Sequence, residues 1–263
     1  MMPGGWSIFG TLRSQVFWFT IFAFTVCILG GCGRKQVRIH LDAPDQYELA
    51  IHEYERKHYS EAAEGFQRVV LEHPGSDLVD AAQFYLAECH FLEKDYIGAA
   101  AEYRYLIDIY PESLYRDDAT YRLGLCVFRQ SPSYSRDQTK TEEALEIFEE
   151  FLIRYPDSEW RDEVVEALQE CRNKLARKEL ENGRLYLKLH RYYAAQVYFQ
   201  YVLDEYPDSD VVPEATLLLA ESMDKQDLRD EARELYAQLA EDSLAGRYSE
   251  EAQKRLSEMD EDD

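Results

Sequence analysis

Residues 99–113 read AAAEYRYLIDIYPES, and residues 195–209 read AQVYFQYVLDEYPDS. In each, an Ala is followed four residues on by an aromatic (Tyr103, Phe199) and three further on by an apolar side chain (Leu106, Val202). Both close on Tyr-Pro-acid-Ser. Two more stretches carry the code: Ala62, Phe66, Val69 with HPGS at 73–76, and Ala144, Phe148, Phe151 with YPDS at 155–158. A fifth copy, Ala232, Tyr236, Leu239, keeps the spacing and lacks the proline. Steps of four and three residues put these side chains on one face of a helix. Proline ends that helix because it has no N–H to donate and its ring clashes with the preceding turn. Counting back twelve from the Ala finds another small residue, Ala50, Ala87, Gly183 or Ala220, and Gly124 lies thirteen after Pro111. Small residues at both points let two helices approach closely while the aromatic fills a hole between ridges.

This is the tetratricopeptide (TPR) code, and it predicts an all-α right-handed superhelix of five helix pairs. The repeats are placed at about 44–75, 77–112, 114–157, 159–208 and 210–240. The interval from Ala62 to Ala99 is 37 residues, as is that from Ala195 to Ala232. Between Ala99 and Ala144 it is 45, and the excess falls on SPSYSRDQT at 131–139, a lengthened loop in repeat three. Between Ala144 and Ala195 it is 51, an excess of 14, close to four turns at about 3.6 residues each. The first helix of repeat four is therefore expected to run about 159–189 and to project as a docking edge. Ser76, Ser113, Ser158 and Ser209 stand where N-caps or turns belong. Residues 241–263 are expected to hold a helix or turn and an acidic tail, with EMDEDD disordered.

The N-terminus reads differently. Val16 to Leu29, VFWFTIFAFTVCIL, is an apolar run of fourteen residues, shorter than the ~20 a membrane helix needs and suited to a signal peptide. It ends in Leu29-Gly30-Gly31-Cys32, which resembles the lipobox of bacterial lipoproteins. The resemblance implies removal of residues 1–31, lipidation of the Cys32 sulfur and a tether at 32–43. Gly33, in place of Asp, favours the outer membrane. Three acyl chains exceed the two signals that stable anchoring takes.

Lys and Arg number 29 against 52 Asp and Glu, a net charge of −23. Nucleic acid would be repelled by such a chain. The five Cys form no CxxC pair, and the six His form no HExxH and no i,i+4 pair. Cys89, Cys126 and Cys171 fall within helical patterns, where Cys is usually a small apolar filler. Without a Gly-rich phosphate loop, nucleophile elbow or metal cluster, the reading is a non-enzyme with no catalytic residue, metal or cofactor.

Recognition suits the architecture better. Counted from the small residue, offsets −3 and +4 share a helical face and give Tyr47 and Tyr54, then Phe84 and Phe91, then Tyr121 and Phe128. These six rings form a candidate client groove in the first three repeats; the other reading is that they pack against neighbouring helices.

A lipobox followed by five such repeats with Tyr-Pro-acid-Ser terminators resembles the BamD family of outer membrane protein assembly lipoproteins. Ser135-Arg136-Asp137-Gln138-Thr139 in the third-repeat insertion and Leu175-Ala176-x-x-Glu179 in the extended helix are similar to the family at those places. The resemblance implies a scaffold on the periplasmic side of the outer membrane. It implies as partners the periplasmic domains of a β-barrel insertase, other assembly lipoproteins and unfolded β-barrel clients. Leu175, Glu179 and Arg184 become candidate docking residues. Two alternatives are an adaptor for cell-envelope or division machinery and a pilotin-like assistant of secretin assembly.

Overall fold

The computed structural model describes residues 41–262. The candidate lipidation site Cys32, with Leu29, Gly30 and Gly31, lies outside the described residues. Within them the chain forms helices and no strand. The helices are α1 (Ala43–Glu55), α2 (Tyr59–Glu72), α3 (Val79–Leu92), α4 (Tyr96–Ile109), α5 (Arg116–Gln130), α6 (Thr139–Arg154), α7 (Arg161–Lys188), α8 (Tyr192–Glu205), α9 (Val212–Asp224), α10 (Arg229–Glu241) and α11 (Arg247–Asp262). Each packs mainly on its neighbours in sequence, as a solenoid requires.

The close approaches fall at the small residues. Ala62, Ala99, Ala144, Ala195 and Ala232 are all fully buried, as are Phe66, Tyr103, Phe148 and Phe199. A Cβ added to Gly124 would stand 2.3 Å from the Phe148 ring, and one on Gly183 would stand 2.4 Å from Phe199. In the first pair the glycine sits on the other helix: a Cβ on Gly65 would meet the Ala50 Cβ at 2.7 Å. Bare backbone is what lets the ring enter.

Turns between paired helices share one device. Lys57, Lys94, His190 and Asp227 adopt positive φ of 55–65°, each seven residues after its small residue. The next N–H then reaches back to a carbonyl of the last turn, as His58 N–H does to Glu53 O and Asp95 N–H to His90 O, both at 2.9 Å. This is a Schellman closure built without glycine. The third pair has Ser131 at that point and takes another route, the loop Ser131–Gln138. Its organiser is Gln138, buried, whose Nε2 donates to the carbonyls of Ser133 (2.9 Å) and Arg136 (3.1 Å) while Oε1 accepts from the Thr141 hydroxyl (2.8 Å).

The four serines after proline make turns and do not cap helices. Each Ser N–H donates to the carbonyl of the residue before proline, at 3.0–3.2 Å. Each Oγ accepts from the N–H two residues on, Leu78, Tyr115, Trp160 or Val211. The helix begins only after that residue.

Two expectations are corrected. The segment EMDEDD is not disordered through Asp262: it ends α11, because Ala252, Leu256 and Met259 recur at helical spacing and pack on α10. The long helix does not stand free as an edge. Val164, Ala167 and Cys171 of α7 complete one core with α3–α6, and Ala176 and Leu180 complete the next with α8 and α9. Its middle is tied on two sides. Lys174 Nζ reaches Ser131, while Arg172 donates to Glu205 O (2.8 Å) and Gln169 to Asp208 O (3.0 Å). The extra four turns make α7 a spine between two stretches of solenoid.

Candidate functional site

The rings at offsets −3 and +4 divide by accessibility. Phe84 and Tyr121 are only 9% exposed. Phe84 stacks on Tyr115 (4.8 Å between ring centres) and Tyr121 on Trp160 (5.2 Å), so these two pack the solenoid and cannot line an open groove. The physical reason lies in the next repeat: the turn after each proline brings Tyr115 or Trp160 over the ring at offset −3. Tyr47 is half-buried, edge-on to Phe66 (5.6 Å) and Tyr85 (6.4 Å).

Tyr54, Phe91 and Phe128, all at offset +4, remain partly exposed on α1, α3 and α5. Tyr54 lies edge-on to Tyr85 at 5.2 Å and Phe91 to Tyr96 at 5.6 Å. Burial pushes the Tyr54 phenol up to about 12 from near 10, with the Glu88 carboxylate acting the same way, so it stays neutral and keeps its proton. Two rings carry a cation. The Arg122 guanidinium carbon is 5.1 Å from the centre of Phe91, and Lys174 Nζ is 5.1 Å from that of Phe128.

Three further residues build the site and fall outside the chosen offsets. Arg122, at offset −2, also lies 5.9 Å from Tyr121 and 5.7 Å from Trp160. Its Nε pairs with the buried Glu88 at 3.0 Å, and the buried Tyr103 hydroxyl donates to the same carboxylate oxygen. Burial, then the Glu88 charge, holds the Tyr103 phenol far above its ordinary value. Trp160 Nε1 donates to Asp118 at 2.7 Å, tying the next turn to α5. Tyr85, also at offset −2, links Tyr47, Tyr54, Phe66 and Phe84. No signal in the sequence pairs Arg122 with Glu88, because which offsets meet across α3 and α5 depends on how the two helices are rotated. The arrangement is an aromatic strip across three helix pairs, with Arg122 over Phe91 paired to Glu88 and Lys174 over Phe128 bonded to Ser131.

The candidate docking residues on α7 separate as well. Leu175 is buried in the spine. Glu179 is half-buried and accepts from Asn182 Nδ2 at 3.1 Å. Arg184 pairs with Glu181 at 2.7 Å and with Glu214 of α9. Glu179 and Arg184 therefore keep some accessible surface, and Leu175 is core.

Burial pushes the thiols of Cys89, Cys126 and Cys171 up to about 12, so they stay protonated at neutral pH. Among the described residues, no helix is long and apolar enough to cross a membrane.

Among known proteins, the chain is similar to outer membrane protein assembly factor BamD of Caulobacter vibrioides, 26% identical over 240 residues covering 90% of this chain and 79% of that protein. BamD of Rickettsia prowazekii is 28% identical over 208 residues, covering 78% and 83%. Among solved structures, the TPR2AB domain of yeast Sti1 in complex with pHSP90 aligns over 82% of this chain and 84% of that one, at 14% identity and a TM-score of 0.46. Residues 40–239 match the YfiO family, described as outer membrane lipoprotein. That span runs from the edge of the described residues into the last turn of α10, and on it the chain belongs to the YfiO family of outer membrane lipoproteins.

Proposed function

We propose that the chain is a non-enzymatic, lipid-anchored scaffold at the periplasmic side of the outer membrane, taking part in assembly of β-barrel proteins. Membership of the YfiO family and likeness to relatives named as outer membrane protein assembly factors support that role. In this reading Cys32 carries the lipid. The first three helix pairs receive unfolded clients, and α7 to α10 dock the barrel insertase and accessory lipoproteins, with Glu179 and Arg184 accessible on that side.

The observation that carries the client site is the ladder of Tyr54, Phe91 and Phe128, one ring per successive first helix, with Arg122 and Lys174 over two of them. A client segment ending in an aromatic residue offers a ring to the ladder. Each ring pair gains about 0.5–1.5 kcal/mol beyond its buried area. Replacing Tyr54, Phe91 and Phe128 together by Ser should weaken crosslinking to such a peptide while co-purification of the insertase persists. Circular dichroism must show the variant folded. A folded variant that binds the peptide like wild type would return all three rings to packing.

Anchoring is tested separately. Cys32→Ala should leave an unprocessed precursor or free the protein from outer-membrane fractions. Unchanged mature size and membrane partitioning would remove the lipid anchor from the proposal.

A further inference from the structure

Helix α8, like α4, carries apolar side chains where the other three second helices carry polar or charged ones. Counted from the buried Ala of each second helix, offsets −2, +2 and +6 are exposed in α2 (Ser60, Glu64, Arg68), α6 (Glu142, Glu146, Glu150) and α10 (Asp230, Glu234, Gln238). The solenoid therefore needs nothing apolar there. In α8 the same positions hold Tyr193, Val197 and Tyr201, which are 74%, 55% and 46% exposed. In α4 they hold Ile97, Ala101 and Tyr105, also exposed.

Beside the α8 stripe lies a groove of about 450 Å³ between α8 and α9. Val197 and Tyr201 form one wall, and Leu219 and Met223 of α9 form the other side. Leu219 is almost fully buried from solvent, so the groove reaches down to core. Two polar groups complete it. Gln196 Nε2 is buried without a hydrogen-bond partner among the described residues. Such a donor is destabilising until an acceptor is supplied. Asp204 stands at the end of the groove, one carboxylate oxygen accepting from Gln200 at 2.9 Å. Glu205 and Asp208 follow in the exposed turn, where Asp210 is already paired with Arg177 of α7 at 3.1 Å, on a chain of net charge −23.

We propose that the α8–α9 groove docks a partner polypeptide segment of defined chemistry. The segment inserts a large apolar side chain between Val197, Tyr201 and Met223, presents a backbone carbonyl to Gln196, and places a Lys or Arg beside Asp204. Charge complementarity selects a basic over an acidic segment, and the acidic turn disfavours an anionic lipid surface. This site is separate from the ring ladder on α1, α3 and α5 and lies among the helices assigned above to partner docking; it rests on that reading for the existence of a partner, while peptide binding to the groove is tested apart from it.

The test uses the mature lipidated protein in nanodiscs and three labelled sixteen-residue peptides. One carries Phe and Leu anchors between lysines, one the same anchors between glutamates, and one lysines with Ser for the anchors. Anisotropy should rank the first at least tenfold tighter than the other two. Val197→Ser with Tyr201→Ser should cost it at least tenfold, and Asp204→Asn should weaken it and flatten its salt dependence. Ile97→Ser with Tyr105→Ser, the matched change on α4, should leave it unaltered. Equal loss from both pairs, or none from the α8 pair, would mean general adsorption to an acidic surface and overturn the site. Sedimentation decides the other occupant: concentration-dependent dimerisation abolished by the α8 pair would assign the groove to a second copy and overturn the proposal.

Discussion

At the residue scale, Glu88 shows how one buried charge organises the ring-lined face. Its carboxylate is enclosed, and the Arg122 guanidinium at 3.0 Å and the Tyr103 hydroxyl satisfy it. A buried carboxylate left without its cation must be protonated or rehydrated, and breaking such a pair costs about 3–5 kcal/mol. Arg122→Ala should therefore lower stability by about that amount in chemical denaturation. Adding Glu88→Gln should recover part of the loss, because the uncompensated charge is then gone. Loss of less than about 1 kcal/mol in the single variant would mean that water already reaches Glu88. Arg122 also holds Phe91, Tyr121 and Trp160 from one guanidinium. Arg122→Lys should accordingly restore the charge and not the stacking. Glu88 was legible only as an acid within the first helix of repeat two. Its partner was not, since pairing across helices depends on the rotation of α5 against α3.

At the element scale, the close approach of paired helices is set by single atoms. Gly124 and Gly183 each face a phenylalanine ring that enters where a Cβ would be. Gly→Ala in a helix ordinarily gains up to about 1 kcal/mol from propensity. Here that gain is opposed by overpacking, worth roughly 1–3 kcal/mol where the neighbours cannot give. Phe148 and Phe199 are fully buried, so they have little room to move. Gly124→Ala and Gly183→Ala should both lower the denaturation midpoint. Gly75→Ala, where a Cβ meets nothing within 4 Å, should not. A rise in midpoint for Gly183→Ala would show that α7 and α8 can part without loss. The glycines were readable from spacing alone, whereas the fate of α7 was not. Fourteen extra residues preserve the helix face, and only the packing of Ser131, Glu205 and Asp208 on its middle decided that it is a spine.

At the scale of the whole molecule, tyrosine burial couples stability to alkaline pH. Burial pushes Tyr54 and Tyr206 up to about 12, and it drives Tyr47, Tyr103 and Tyr236 higher still. In the unfolded chain these phenols ionise near pH 10. Between the two values the unfolded state has lost protons that the folded state retains, so stability falls as pH rises. It is fully present below about pH 10 and drains away through about 12. Ultraviolet titration should show one class of tyrosines ionising near 10 and a second class ionising only as ellipticity collapses. A single class near 10 with the helices intact would mean that water enters the ring-lined face. The dense acidic surface adds self-repulsion, so added salt should raise the midpoint at neutral pH.

The sequence by itself determined the all-α repeat, the inward Ala and aromatic positions, and the places where two repeats lengthen. These are periodic demands that every copy must meet, so each copy repeats the message. Tertiary structure alone decided which rings keep accessible surface, because the turn of the following repeat covers Phe84 and Tyr121 and leaves Tyr54, Phe91 and Phe128 partly exposed. It decided the course of α11 as well, since a tail rich in acid becomes helix only when Ala252 and Met259 find α10 to pack against. The groove beside α8 belongs to the same class. Its apolar stripe is written in the sequence, but its depth and its unpaired Gln196 arise only when α9 is laid alongside.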